Sequence, residues 1–476
     1  MSTKKSYISS MAFKYRTKPL EHQRQALIKG AKSDYFFLTM GMGTGKTKVA
    51  IDNAVYLWTE KKINVVLAIA PNSVTHNWMH EINTHSSARN KIYIHKVDEF
   101  DYDPNLLNWY IMNVESFSIQ SGMIVAKKLV KQHEKNMFMV IDESTTIKNP
   151  KAKRTKNIIK LSENIIYKRA MTGSPVTKNP LDLFAQCEFL KKGLLGFSSY
   201  YSFRARYAKL RPLTRDGFRQ TLIPYDYQNV DELKDKIKSF SYRAIKEKCL
   251  DLPPKIYVKR YVNLSKEQLE IYANLKKYAR AVFQNKESSY TNKLTELLRL
   301  HQVTCGFFCT DNKENKQLDN NKIKELINVI DETEGKIIIW ANYIFNLEYI
   351  IKTLKQKYPE DRTVAMYGAV SVEDRDRAVK DFQNDKYTRF FVGNPSTGGY
   401  GLNLTAAQTV IYYSNSFDLT HREQSEDRAH RKGQNKSVTY VDIVTKGTID
   451  EFILDALNKK KTMSSQVLGE IVLNFL

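Results

Sequence analysis

Long apolar runs are missing from this chain of 476 residues. The longest, Val65-Val66-Leu67-Ala68-Ile69-Ala70, is strand-sized, far below the ~18 residues a bilayer-crossing helix requires, so no membrane span is expected. No leader core is expected either, because Lys4 and Lys5 precede Ser6–Ser10, which is short and polar. Cysteine is scarce. Cys187, Cys249, Cys305 and Cys309 cannot staple a chain this long, and a reducing compartment is the expected setting. Cys305 and Cys309 form half a metal site that no second Cys or His pair completes, so no zinc is expected. Acidic residues are outnumbered: Lys+Arg 75 against Asp+Glu 51 leaves a net charge of +24. That balance favours a polyanionic partner, through phosphate contacts and counterion release.

What remains is ordinary for a folded protein, with 42% hydrophobic and 26% charged residues and length enough for two or three domains. Short β-type runs alternate with helical patterns twice, predicting an α/β fold with parallel sheets. The first set is expected at Tyr35 to Thr39, Asn64 to Ala70, Trp109 to Asn113, Met137 to Ile141 and Lys168 to Met171. The second is expected at Lys336 to Trp340, Thr363 to Tyr367, Phe390 to Gly393, Thr409 to Tyr413 and Thr439 to Val444. Residues 180 to 330 read as mostly helical and charged. The paired prolines of Asp251-Leu252-Pro253-Pro254-Lys255 make the clearest break. The expected domains are 1–252, with a helical insertion at about 180–245, and 253–476, with a helical protrusion at about 264–330.

Directly after the first strand comes Met40-Gly41-Met42-Gly43-Thr44-Gly45-Lys46-Thr47 and then a helical run. Glycines let backbone amides turn inward around phosphate oxygens, and a helix N-terminus adds its positive end. Gly43, Thr44 and Gly45 form the cradle, Lys46 supplies a point charge, and Thr47 offers a hydroxyl to Mg²⁺. Met40 replaces the first glycine of the strict pattern. The strand Met137 to Ile141 ends in Asp142-Glu143, placing carboxylates at a sheet edge. Asp142 is expected to hold Mg²⁺ through water, and Glu143 to orient the attacking water and take its proton. Far downstream, Arg428 and Arg431 are three apart, which on a helix puts them on one face as candidate arginine fingers.

In order and spacing these segments resemble the Swi/Snf-type DNA translocases of helicase superfamily two, from about Leu20 to Leu468. Leu20-Glu21-His22-Gln23 looks like the family's adenine-reading segment, with Gln23 as the base-reading amide. Ala70-Pro71-Asn72-Ser73-Val74, followed by Trp78 and Glu81, is similar to its DNA-backbone segment. Asp142-Glu143-Ser144-Thr145-Thr146-Ile147-Lys148-Asn149 resembles the acid motif, with Thr145 where the family usually has His. Met171-Thr172-Gly173-Ser174-Pro175 looks like the coupling motif. Ser396-Thr397-Gly398-Gly399-Tyr400-Gly401-Leu402-Asn403-Leu404-Thr405-Ala406-Ala407 is close to the glycine-rich motif of the second lobe. Gln424 to Gln434 matches the arginine motif.

The resemblance implies two RecA-like lobes with helical additions and ATP with Mg²⁺ as cofactors. It also implies nucleotide contacts by Gln23, Gly401, Gln424, Arg428 and Arg431 beside the phosphate loop and Asp142. DNA contacts are implied at Ser73, Asn113, Thr172, Thr397, Gly398 and Thr405. Each of several has a plainer reading: Trp78 and Trp340 as core residues, Thr172 as a strand end, Ser73 and Asn113 as turn caps.

The implied activity is a DNA-dependent ATPase that moves on double-stranded, forked or junction DNA, serving branch migration in recombination or replication. A strand-separating helicase and a non-motor DNA-binding protein regulated by ATP are the alternatives. The wedge hairpin common in strand separators has little room between Ala407 and Gln424. Compact size and Lys- and Asn-rich composition point to a cytoplasmic protein of a bacterium or a phage-infected cell.

Overall fold

The computed structural model describes residues 13–468 except 178, 214–220, 285–289, 311–313 and 399–401. Of these, residues 13–461 divide into two compact units, one running to Asp251 and the other from Leu252 to Lys461.

The first unit holds strands β1 (Tyr35–Met40), β2 (Val65–Ala70), β3 (Asn90–Ile94), β4 (Leu107–Asn113), β5 (Met137–Ile141), β6 (Tyr167–Met171), β7 (Ala208–Leu213), β8 (Thr221–Tyr227) and β9 (Ser241–Ala244). Seven of them form one sheet in the order β3-β4-β2-β5-β6-β1-β9, every neighbouring pair parallel. Central strands such as β2 and β5 are buried at every position, which explains why they read as unbroken apolar runs rather than alternating ones. Trp78 and Trp109 are both fully buried and lie 6.3 Å apart, so Trp78 is a core residue.

The second unit holds β10 (Lys255–Val262), β11 (Phe307–Cys309), β12 (Asn315–Gln317), β13 (Lys336–Trp340), β14 (Arg362–Met366), β15 (Thr388–Gly393), β16 (Ala407–Tyr412) and β17 (Val438–Thr445). Its six-stranded parallel sheet runs β10-β17-β16-β13-β15-β14. Alternation along β13 sends Ile337 and Ile339 into one core and Ile338 and Trp340 into the other, so helices cover both faces. Two parallel-sheet lobes with helical additions is the architecture expected from the sequence.

In the two parallel sheets, the strands that escaped the sequence pattern are β3, β9 and β10, all at sheet edges. Edge strands bury less: β10 reads Lys-Ile-Tyr-Val-Lys-Arg-Tyr-Val and has no fully buried position, so no apolar run marks it. The stretch 180–330 is also less uniformly helical than expected. It contains the antiparallel hairpins β7–β8 and β11–β12 and the edge strands β9 and β10. In the first hairpin Pro212 and Pro224 mask the strand signal, and an isolated two-stranded ribbon is where proline is tolerated.

Candidate active site

The parallel order places β5, β6 and β1 side by side, so their C-terminal ends open on one edge. Each delivers one part of the site there. β1 runs into the glycine loop and then the helix Lys46–Thr59. β5 runs into Asp142-Glu143, and β6 into Thr172.

The loop turns through positive φ at Gly43 (73°) and Gly45 (83°), a region open to glycine at no steric cost. A Cβ at position 45 would also lie 2.2 Å from Nε2 of Gln23. Thr44 closes the turn, its hydroxyl donating to the Gly41 carbonyl at 2.7 Å. Lys46 is buried and its ammonium donates to the same carbonyl at 3.4 Å. Gln23 sits directly over the loop: its amide donates to the Thr44 carbonyl at 2.9 Å, and its Oε1 accepts from the Leu20 N–H. His22 adds a second bond to the Thr44 carbonyl, at 2.8 Å. Both polar atoms of Gln23 therefore engage the chain itself in this structure.

Asp142 is buried between two donors. Nε1 of Trp78 donates to Oδ2 and the Glu143 N–H to Oδ1, each at 3.0 Å. Burial pushes its carboxyl up from 3.8 to about 6, helped by the neighbouring Glu143 charge and opposed by Lys46 and the Trp78 bond. Glu143 has φ 48° and ψ 60°, a left-handed conformation that costs a non-glycine residue about 1–2 kcal/mol. Strain of this kind persists where the surroundings dictate it. Here the Thr172 hydroxyl holds the Glu143 carboxylate at 3.2 Å while accepting from the Ser174 N–H. Thr172 does end a strand, and it also orients the acid.

Thr47 and Asp142 present a hydroxyl and a carboxylate, hard oxygen donors suited to Mg²⁺. Among the described residues no cluster of three His, Cys, Asp or Glu side chains could hold a metal. An ion at this edge would therefore keep most of its water and phosphate ligands, as Mg²⁺ commonly does.

In the second unit the glycine-rich and arginine segments are stitched together. The Leu404 N–H donates to the Arg428 carbonyl at 3.0 Å and Arg431 donates to the Leu402 carbonyl at 2.8 Å. The Gln434 amide reaches the carbonyls of Thr405, Ala407 and Ala429. One expectation needs correction. The helix spans Leu419–Ala429 and His430 leaves helical geometry, its Nε2 bonded to the Pro253 carbonyl. Arg431 thus lies beyond the helix end, and the two arginines do not share a helix face. Gln424 is buried within the helix.

The expected DNA-contacting residues divide. Asn113 caps the short helical turn Val114–Ser118, accepting from the Ser116 N–H and hydroxyl and donating to Asn72, so its polar atoms serve the fold. Thr405 accepts from Gln383 at 3.2 Å, Thr397 lies in the short helix Pro395–Gly398, and Gly398 ends it. Gly401 and the side chain of Ser73 lie outside the described residues. Sequence reasoning missed two supports. Trp78 is the donor that steadies Asp142, and Arg243 on β9 donates to the carbonyls of Thr39 and Gly173, tying the β1 end to the segment after Thr172. Arg243 lies on a four-residue edge strand, which leaves no periodic signal to find.

The SNF2-related domain family matches residues 36–308 of this chain, and the helicase conserved C-terminal domain matches residues 321–433. The chain belongs to the SNF2-related family. Both family domains lie on this one chain. Among relatives of this SNF2-family chain, the putative ATP-dependent helicase/translocase YwqA of Bacillus subtilis is 28% identical over 449 residues, 90% of this chain and 46% of that protein. An uncharacterised ATP-dependent helicase of Mycoplasma genitalium is 27% identical over 449 residues, 90% of this chain and 40% of that protein. The chain thus spans less than half the length of these relatives. The SWI2/SNF2 ATPase core of Sulfolobus solfataricus, solved in complex with dsDNA, is 25% identical and covers 97% of this chain and 95% of that one. Its TM-score of 0.44 is too low to carry weight.

Proposed function

We propose that this chain is a motor that couples ATP hydrolysis to movement along double-stranded or branched DNA, with branch migration or remodelling of forks and junctions as its output. The reading rests on one observation above all. A glycine loop with Lys46 and Thr47, an Asp142-Glu143 pair and the Thr172 that orients it open on one edge of one sheet. Lys46 would grip the outer phosphates, Thr47 and Asp142 would hold Mg²⁺, and Glu143 would position water. Arg428 and Arg431 would supply positive charge to the transferring phosphoryl group. The net charge of +24 supports a DNA track, and the family membership and the names of the relatives support an ATP-driven activity.

Translocation on an intact duplex is favoured over strand separation because β16 passes to the helix Leu419–Ala429 through residues 413–418 alone, leaving no wedge ribbon there. ATPase rates measured with and without duplex DNA test the motor. Lys46→Ala and Glu143→Gln should each abolish DNA-stimulated turnover with the fold intact, and normal turnover in either would overturn the assignment. Triplex displacement measured beside forked-duplex unwinding separates the two outputs. Displacement without unwinding is the expected result.

A further inference from the structure

The ribbon β7–β8 is a two-stranded sheet of its own, paired from Ala208↔Tyr227 to Leu213↔Thr221. A lone hairpin is marginal in water, and here its base is anchored. Tyr207 is fully buried, its hydroxyl donates to Glu232 at 2.9 Å, and Leu210 and Tyr227 pack against the unit's core. Farther out the character changes. Leu222 (41%), Tyr225 (56%) and, on the helix Tyr200–Tyr207 that feeds the ribbon, Tyr201 (60%) are exposed. The Arg204 guanidinium lies 5.4 Å from the Tyr201 ring centre and donates to the Leu222 carbonyl at 3.4 Å, joining helix to ribbon. The Lys151 ammonium lies 6.0 Å from the same ring. Arg211 is exposed opposite Ile223. The carboxylate at Asp226 is neutralised by Lys209 at 2.8 Å. Among the described residues, none of Lys151, Arg204 and Arg211 enters an ion pair.

We propose that this ribbon and its feeding helix form a second contact with duplex DNA, Lys151, Arg204 and Arg211 binding backbone phosphates while Tyr201 and Tyr225 pack on sugar and base edges. Cations interleaved with exposed aromatics, with no free carboxylate between them among the described residues, fit a nucleic-acid backbone. A two-stranded ribbon has the width that a major groove admits. The inference rests on the DNA-motor reading above and assigns a track contact outside the nucleotide edge.

The test is fluorescence anisotropy of a labelled duplex of about 30 base pairs, titrated from low to moderate salt, with the matching single strand in parallel. Each lost phosphate contact lowers the slope of log affinity on log salt by about 0.9, so Arg204→Ala with Arg211→Ala should lower it by roughly 1.8. Extrapolated from 1 M salt, that is a loss of about 60-fold in duplex affinity at 0.1 M. Lys151→Ala with Arg211→Ala leaves the Arg204 tie in place and should give a similar loss, keeping the test meaningful if the first variant misfolds. Tyr225→Ala should weaken binding without changing the slope. A slope unchanged in both double variants overturns the ribbon contact, as does a loss confined to the single strand. Capture of poly-glutamate, lost with the same substitutions, would assign the ribbon to an acidic protein instead. A wild-type chain that binds no duplex even at low salt would overturn the motor reading itself.

Discussion

Replacing Asp142 by Asn should make the ligand-free protein more stable at neutral pH even as it destroys the candidate metal site. The buried carboxyl titrates near 6 instead of 3.8, so keeping it ionised at pH 7 costs roughly 3 kcal/mol. Asparagine stays neutral and can still accept from the Glu143 N–H, but its amide group fits the Trp78 donor poorly, returning about 1 kcal/mol. The net gain is about 2 kcal/mol, or roughly 4–8 °C in Tm for a unit of this size. The sign follows from the raised carboxyl. Below 3.8 the group is protonated folded or unfolded and the variant has no advantage; as pH rises through about 6 the folded wild type must bear a buried charge, and the gap opens fully. Scanning calorimetry in chelator without nucleotide, from pH 4 to pH 8, reads the gap directly. A variant equal to or less stable than wild type at pH 7.5, or a gap that ignores pH, would refute the reasoning.

Arg428→Ala should slow ATP hydrolysis by roughly 10³-fold while nucleotide still binds, measured by single-turnover kinetics; near-normal turnover would remove it from the phosphoryl-transfer step. Thr172→Val deletes the hydroxyl that holds Glu143 and should lower kcat about five- to tenfold with little change in KM for ATP, the worth of one hydrogen bond. In the second unit Lys322 and Asp450 are buried and paired at 2.7 Å, and Lys322→Met should cost about 3–5 kcal/mol by stranding the carboxylate, with Asp450→Asn in the double variant restoring most of it in urea unfolding. Beside that pair, burial pushes the His301 imidazole down from 6.5 to about 4. The unfolded chain therefore takes up this proton first, and the unit should lose stability as pH falls from 6.5 through 4, a loss that His301→Gln should reduce.

Much of this protein could be read along the chain. Central parallel strands are buried on both faces and so announce themselves as apolar runs: Met137–Ile141 and Lys336–Trp340 appear at the expected bounds. The glycine loop and the Asp142-Glu143 pair depend on local chemistry, positive φ and a strand end, which neighbouring residues dictate. The edge strands β3, β9 and β10 and the β7–β8 ribbon carry no comparable mark, because their side chains are less fully buried and, in the ribbon, proline interrupts the run. Nor could spacing alone say that Arg431 falls past a helix end, since His430 leaves helical geometry where its ring bonds the carbonyl of Pro253, distant in sequence.

The sequence by itself determined the two-lobed α/β plan, the glycine loop and the net charge of +24, since each follows from composition or from residues within a few positions of one another. Only the tertiary structure decided that Trp78 steadies Asp142, that Thr172 aims Glu143 and that cations and tyrosines gather along an exposed ribbon. Those arrangements join residues tens of positions apart, and folding alone brings such groups within reach of a hydrogen bond.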